Sequence, residues 1–167
     1  MIQEARVKNN HADIEYHVGA IEELQVDYQF DFIFSSLTLH YVEHYRDLVK
    51  KVYSMLKSQG SFLFVVEHPI FTAQGQQEWI MGDDGVPLHW PVDRYYDESW
   101  RESNFLDTKI KKFHRSMSSY VNPIIEEGFT LEPLTEVIPP SDWVSLDPRN
   151  ADELRRSMML IIKVTKK

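Results

Sequence analysis

Two pairs of neighbouring side chains have the types needed for proton-transfer or substrate-binding chemistry. Glu67 and His68 are adjacent at the end of an apolar run. A carboxylate beside an imidazole can act as a general base toward a hydroxyl or amine, and the alternative is a turn held by hydrogen bonds before Pro69. His114 and Arg115 could position an anionic or carbonyl-bearing substrate, or belong to the solvated face of a strand. The candidate catalytic residues are therefore Glu67, His68 and His114.

Several other chemistries are excluded or disfavoured by the composition. The chain has no cysteine, which excludes disulfides, thiolate metal sites and cysteine nucleophiles. His40 and His44 have helical i, i+4 spacing, but no carboxylate pattern completes a metal site, and neither H-E-x-x-H nor G-x-S-x-G occurs. We therefore expect no metal.

The overall charge bears on the partner. The net charge is −8, from 26 acidic and 18 basic residues, and such a surface repels phosphate backbones. A basic cluster between Lys109 and Arg115 is expected to be the solvated face of a strand rather than an RNA contact. A small or neutral substrate fits this balance better than a nucleic acid.

Length and hydropathy indicate one globular domain spanning residues 1–167. The 43% apolar and 26% charged fractions are those of an ordinary globular protein. No apolar run approaches the length of a membrane span, and the first residues do not form a signal peptide. We therefore expect no membrane partner and a cytoplasmic location.

The candidate residues must be positioned by a strand, a helix and a second strand between Phe30 and His68. Residues 31–34 form an apolar run typical of a buried parallel strand. The following helix has one apolar face, and Gly60 is predicted to cap it before a strand over residues 61–67. This βαβ unit places Ser35 and Glu67 at the carboxyl edge of the sheet, where ligands bind in open α/β sheets.

The remaining pattern predicts an α/β fold, with a mostly parallel sheet of about five strands and an antiparallel C-terminal end. Residues 69–115 are expected to form an insertion or lid with a β-hairpin. Its aromatic residues form either a substrate cap or a small satellite core. The predicted elements are a helix within 1–10, a strand at 14–18, a hairpin pairing 92–99 with 108–115, a helix at 116–127, strands at 129–131 and 134–138, a loop at 142–150, a helical turn at 152–157 and a strand at 158–164.

The central unit resembles a known enzyme family. Residues 31–42 match the pattern D-x-I-x-S-x-L-x-L-H-x-V, and residues 56–64 are similar to L-x-x-G-G-x-L-x-F. Both are typical of class I S-adenosylmethionine-dependent methyltransferases of the type 11 group. The resemblance implies a Rossmann-like sheet, S-adenosylmethionine as cofactor and methyl transfer to a small molecule. The cofactor contacts that it implies are Ala20, Ile21 and Glu22 beside the adenine, Ser35, Ser36 and Leu37 beneath the methionine moiety, and His40 packed nearby.

One part of the family pattern is missing from this sequence. The family's glycine-rich loop, G-x-G-x-G, lets the backbone approach the cofactor at a helix N-terminus, and none of the six glycines is arranged that way. Two interpretations remain open: an N-terminally truncated enzyme, inactive as this chain, or a non-catalytic remnant that binds a partner.

Either interpretation leaves the strand at Asp31 with a bare edge, because the family's N-terminal strands are missing. Exposed edges are normally protected. We therefore expect residues 14–18 to pair beside residues 31–35, or a second copy to cover the edge in a homodimer.

Overall fold

The computed structural model describes residues 2–105 and 108–167. Five α-helices and nine strands are assigned in this part of the chain, with 3₁₀ helices at Leu39–Tyr41 and Pro148–Arg155. The helices are α1 (Ile2–Lys8), α2 (Tyr45–Met55), α3 (Pro69–Ala73), α4 (Met117–Glu127) and α5 (Ser141–Leu146). The strands are β1 (Phe30–Ser36), β2 (Leu56–Glu67), β3 (Ile80–Met81), β4 (Pro87–His89), β5 (Trp100–Phe105), β6 (Thr108–Phe113), β7 (Phe129–Leu131), β8 (Thr135–Glu136) and β9 (Met159–Lys166).

The main sheet has five strands in the order β1-β2-β9-β7, with β8 also paired to β9. β1 and β2 are parallel, with Ile33 opposite Phe62 and Ser36 opposite Val65. β9 runs antiparallel to β2, and β7 and β8 run antiparallel to β9. The α/β fold with an antiparallel C-terminal end is therefore confirmed.

One face of this sheet carries the hydrophobic core, beneath α2 and α4. The predicted apolar face of α2 is buried, with Val49 and Val52 each no more than 2% exposed. Tyr45 of α2 and Tyr120 of α4 meet edge to face, and the Tyr45 hydroxyl donates to the Tyr120 carbonyl at 3.2 Å. The sheet residues of this core, all at most 1% exposed, are Leu56, Phe62, Phe64, Val66, Leu160, Ile162 and Val164.

Two glycines have different roles at the ends of helices. Gly128 adopts φ 103° and caps α4, as its position after the helix suggests. The prediction that Gly60 caps α2 is wrong, because α2 ends at Met55 and β2 begins at once. A Cβ at Gly60 would lie 3.1 Å from the Phe30 carbonyl oxygen, so this glycine allows the close approach of β1 and β2.

Residues 14–18 do not form the predicted strand. Most of this segment is exposed, including Ile14 and Val18. Because its alternating pattern finds no sheet neighbour, the segment stays irregular, and β1 pairs only with β2 among the described residues. The expected closure of the sheet beside β1 is therefore wrong for this chain.

The insertion contains two hairpins. β3 and β4 pair across a turn at residues 82–85, where the Gly82 N–H donates to the Val86 carbonyl at 2.9 Å. β6 pairs with β5 and not with residues 92–99 as predicted. The reason is a turn at Arg94, which has φ 53° and accepts a backbone hydrogen bond from Asp97. Asn104 lies within this ladder, opposite Lys109.

The C-terminal part holds more helix than predicted. Residues 142–150 were expected to be a loop, but they lie in α5 and the 3₁₀ helix that follows it. The Asp147 carboxylate accepts the Arg149 N–H at 2.9 Å, which is a helix N-cap. The strand predicted at 134–138 is limited to β8, whereas the closing strand β9 is confirmed. No helix in the described part of the chain is long and apolar enough to cross a membrane.

Candidate active site at the carboxyl end of the sheet

β1 and β2 end side by side, which brings their terminal polar residues to one edge of the sheet. Beyond Ser36 the chain turns at Leu37, whose φ is 52° and whose N–H donates to the Val65 carbonyl at 2.8 Å. The Thr38 hydroxyl donates to the Ser36 carbonyl at 2.9 Å. These bonds fix the exit of β1 against β2 and lead directly into the 3₁₀ helix that holds His40.

Glu67, at the end of β2, is held by two residues of the insertion. Its Oε1 accepts from the Lys112 Nζ at 2.6 Å, and its Oε2 accepts from the Gln77 amide at 2.9 Å. Lys112 Nζ also donates to the Gln77 side-chain oxygen at 3.1 Å. The Lys112 and Glu67 side chains are only 5% and 11% exposed, so this is a buried ion pair whose carboxylate is fully hydrogen-bonded.

His68 begins α3 and faces β8. Its Nδ1 accepts the Ile70 N–H at 3.1 Å, so the neutral ring carries its proton on Nε2. The Nε2 lies 2.8 Å from Glu136 Oε1, at ion-pair distance but outside hydrogen-bond geometry. Burial lowers the pKa of His68, and the Glu136 carboxylate opposes that effect.

His114 is buried with both ring nitrogens engaged. Its Nε2 lies 2.9 Å from the Tyr95 carbonyl oxygen, and its Nδ1 lies 2.8 Å from the Thr72 hydroxyl. A carbonyl can only accept, so Nε2 carries the proton and Nδ1 accepts from Thr72. Burial lowers the pKa of His114. This arrangement leaves neither nitrogen for a substrate and fits a histidine that joins the insertion to α3.

His40, like His68, has a ring nitrogen at this edge that makes no hydrogen bond among the described residues. It is 2% exposed, and its Nδ1 has no hydrogen-bond partner among the described residues. Burial lowers the pKa of His40 to about 4, with Glu67 opposing the shift. The ring is therefore neutral at pH 7, and its Nδ1 has room for a hydrogen bond from a water molecule or a ligand.

The expectation that Lys112 and Arg115 lie on a solvated strand face is wrong. Both are buried, whereas Lys109 and Lys111 are exposed as expected. Arg115 donates to the carbonyls of residues 39, 42 and 43 and thereby fastens the 3₁₀ helix to the start of α4. Sequence analysis missed Lys112 and Gln77. The burial of Lys112 could have been predicted from the alternation of side chains along β6, which puts Lys112 on the same side of the strand as the half-buried Ile110.

The aromatic residues of the insertion form a satellite core more than a cap. Trp90 stacks on Phe71 with ring centroids 5.0 Å apart, and Trp79 meets Trp90 edge to face. The Arg156 guanidinium lies 4.2 Å from the Trp90 ring centroid. Tyr96, in contrast, is 89% exposed. These contacts tie the insertion to the segment before β9.

Of the residues predicted beside the adenine, Ala20 and Ile21 line an open cleft of about 460 Å³ in the segment 17–25, and Glu22 does not. Ile21 packs against the core, and the Glu22 carbonyl accepts from the Lys51 Nζ at 2.6 Å. Ala20 is exposed to the cleft. The His40 Nδ1 lies separately at the exit of β1, in the 3₁₀ helix Leu39–Tyr41. No described group of three or more histidines and acids is placed to hold a metal ion.

Comparison with known proteins identifies the family of this chain. The methyltransferase domain family matches residues 1–64. A crystal structure described as an S-adenosylmethionine-dependent methyltransferase from Listeria monocytogenes is 42% identical, has a TM-score of 0.93, and is matched over 100% of this chain and 75% of its own length. The chain belongs to the S-adenosylmethionine-dependent methyltransferases, whose cofactor is S-adenosylmethionine.

Curated relatives share shorter stretches. An uncharacterized protein of Haemophilus influenzae is 30% identical over 108 residues, which cover 64% of this chain and 42% of that protein. A malonyl-[acyl-carrier protein] O-methyltransferase of Priestia megaterium is 36% identical over 64 residues, 38% of this chain and 23% of that enzyme. The alignments thus span less than half the length of these two relatives.

Proposed function

We propose that the chain is the part of a small-molecule methyltransferase that holds one side of the cofactor and the acceptor end of the site. The observation that carries this proposal is the buried polar cluster at the carboxyl edge of β1 and β2, in a chain of this family. When bound, S-adenosylmethionine supplies a methyl group activated by its sulfonium sulfur. On this proposal the cofactor residues are Ala20, Ile21, Glu22, Ser35, Ser36, Leu37 and His40.

The chain's own residues would act mainly by positioning. Methyl transfer needs the acceptor lone pair aligned with the methyl group, and alignment alone can supply much of the acceleration. Lys112 and Gln77 occupy both oxygens of the Glu67 carboxylate, so on this proposal Glu67 fixes the insertion over the end of β2. The neutral His40 offers Nδ1 for one further hydrogen bond.

The charge and the insertion support a small acceptor. The net charge of −8 opposes binding to a nucleic acid backbone. Lys112 of the insertion binds Glu67 at the carboxyl end of β2. On this proposal the insertion therefore shields the acceptor site from solvent. We further propose a cytoplasmic location.

Titration calorimetry of the folded chain with S-adenosylhomocysteine tests the enzyme proposal. We expect binding with a dissociation constant on the order of micromolar. Ala20→Trp fills the cleft of residues 17–25 and should weaken binding at least about 10-fold. Ala151→Trp, at an exposed alanine elsewhere in the chain, is the matched control and should bind as the parent does. No detectable binding by a folded protein would contradict the proposal.

A second candidate function is that of a non-catalytic module which binds a partner. It is favoured by one observation, the open edge of β1, which pairs only with β2 among the described residues. Loss of S-adenosylhomocysteine binding would leave this candidate standing, because it does not require a cofactor.

A further inference from the structure

Another cleft, of about 460 Å³, opens beside β8, and we call it the β8 groove. β9 begins between β2 and β8, with Met159 opposite Glu67 and Leu160 opposite Glu136. The β8 groove therefore lies at the same edge of the sheet as the carboxyl end of β2. The residues that line it are Ile70, residues 134–139 and residues 153–157.

One side of the β8 groove is apolar. Leu134, Ile138 and Leu154 line it and are exposed, and the half-buried Ile70 of α3 lies beside them. Small-molecule sites combine such apolar walls with a few polar groups, in volumes of about 300 to 1,000 Å³. The groove is therefore large enough for a small molecule and offers contacts to its hydrocarbon part.

The basic side chains of the β8 groove are already engaged. The Arg156 guanidinium donates to both oxygens of the Glu153 carboxylate, at 2.9 and 3.0 Å. It also lies over the Trp90 ring, and its buried Nε makes no hydrogen bond among the described residues. Arg155 donates to the Asp152 carboxylate at 2.8 Å. Each arginine is thus matched by a carboxylate of its own segment.

Glu136 is the acidic side chain of the groove that no lysine or arginine in the described part of the chain neutralises. Its Oε1 lies 2.8 Å from the Nε2 of His68, and its side chain is 59% exposed, so a ligand can reach it. Burial lowers the pKa of His68, so the ring is neutral at pH 7 and does not cancel the carboxylate charge. The buried His68 Nε2 has no hydrogen-bond partner among the described residues. The groove therefore carries one uncompensated negative charge.

We propose that the β8 groove binds the acceptor molecule through an ammonium group on Glu136, with an apolar chain against Leu134 and Leu154. A carboxylate without a cation, beside an apolar wall, is complementary to an alkylamine in both charge and hydropathy. The same charge opposes a carboxylic acid. This inference rests on the proposed function, because it names the chemical class of the acceptor.

Amide NMR of the full chain, titrated with hexylamine at pH 7 without any cofactor, tests the inference. We expect hexylamine to shift the amide signals of residues 134–138 and 153–157, with a dissociation constant on the order of 1 mM. Hexanol should bind there at least about 10-fold more weakly, and hexanoate should not bind. Equal binding of hexylamine and hexanol, or no shift with hexylamine up to about 50 mM, would overturn the inference.

A charge-removing substitution locates the anchor. Glu136→Gln keeps the shape of an exposed side chain, so circular dichroism should be unchanged, and the affinity for hexylamine should fall at least about 10-fold. Glu102→Gln is the matched control, because Glu102 is a 50% exposed carboxylate that pairs with Lys109 and does not line the groove. It should bind hexylamine as the parent chain does. A folded Glu136→Gln variant that binds hexylamine as tightly as the parent would show that the inference is wrong.

The titration separates this inference from the proposed function. If S-adenosylhomocysteine binds and hexylamine does not, the β8 groove is not an amine site, and the enzyme proposal is unaffected. If hexylamine binds as expected and S-adenosylhomocysteine does not, the groove is an amine site, and the chain fails as a cofactor-binding unit.

Discussion

Two regions of this molecule contain similar apolar strands but bury them to different extents. The closed region comprises β2 and β9 with the helices and insertion packed on them, and its Phe64 is fully buried. The open region comprises β1 and residues 9–29, where Phe34 is 57% exposed. Both phenylalanines belong to apolar strand segments of similar composition. An apolar run can therefore predict that a strand forms. Whether the side chains of that strand are buried depends on elements that are distant in the sequence.

The largest contrast is expected from the same substitution in the two regions. Phe64→Ala creates a cavity beneath α2 and should lower the free energy of unfolding by about 3–5 kcal/mol. Phe34→Ala should change it by no more than about 0.5 kcal/mol, because Phe34 is 57% exposed. Urea unfolding followed by circular dichroism measures both. Equal losses would show that Phe34 is covered within the monomer.

The same comparison can be made between a buried and an exposed ion pair. Lys112→Met leaves the buried Glu67 carboxylate without its cation and should cost about 3–5 kcal/mol of stability. Lys57→Met breaks the exposed pair with Asp31 and should leave the unfolding midpoint unchanged. Thermal unfolding at pH 7 compares the two variants.

A double variant checks the cause of the Lys112 effect. Combining Lys112→Met with Glu67→Leu removes both charges and should lose much less than the two single variants together. Additive losses would mean that the two side chains do not depend on each other.

Histidines give a smaller contrast that depends on pH. The unfolded-state pKa of His40 is near 6.5, and burial lowers the folded-state pKa to about 4. The contribution of the neutral His40 to the free energy of unfolding is fully present above pH 6.5. It is lost as the pH falls toward 4, because the unfolded chain binds a proton at a higher pH than the folded chain does. The loss attributable to His40 should be about 3 kcal/mol.

Two histidine variants isolate this effect. His40→Gln should flatten the fall in stability between pH 6.5 and 4, whereas His17→Gln, at an exposed histidine of the open region, should leave it as in the parent chain. Urea midpoints at half-unit pH steps give the comparison. A His40→Gln profile parallel to that of the parent would contradict the assigned pKa.

Local patterns predicted the strands and helices whose neighbours follow from the sheet, and they failed where a distant contact or an unmarked turn decides the structure. The apolar face of α2 and the closing strand β9 follow from period and composition, because both elements find the neighbours that their patterns require. Residues 14–18 carry an alternating pattern but have no neighbour, so the pattern alone did not make a strand. β5 was misplaced because the turn at Arg94 has no glycine to mark it.

The candidate site shows the same limit. The sequence places Glu67 and His68 at the carboxyl edge because they end a recognisable strand. It does not reveal that Lys112 lies 2.6 Å from Glu67 or that Glu136 lies 2.8 Å from His68, since these partners are 45 and 68 residues away in the chain. Such contacts depend on how the insertion folds back onto the sheet, which no local spacing encodes.

The most direct test of the open edge is amide hydrogen exchange along β1, measured residue by residue in dilute solution. Because the Leu37 N–H donates to the Val65 carbonyl and the direction alternates along a strand, the amides of Ile33 and Ser35 face β2 and should be protected. The amides of Phe32 and Phe34 face away from β2 and should exchange rapidly. Equal protection of all four amides would contradict the account.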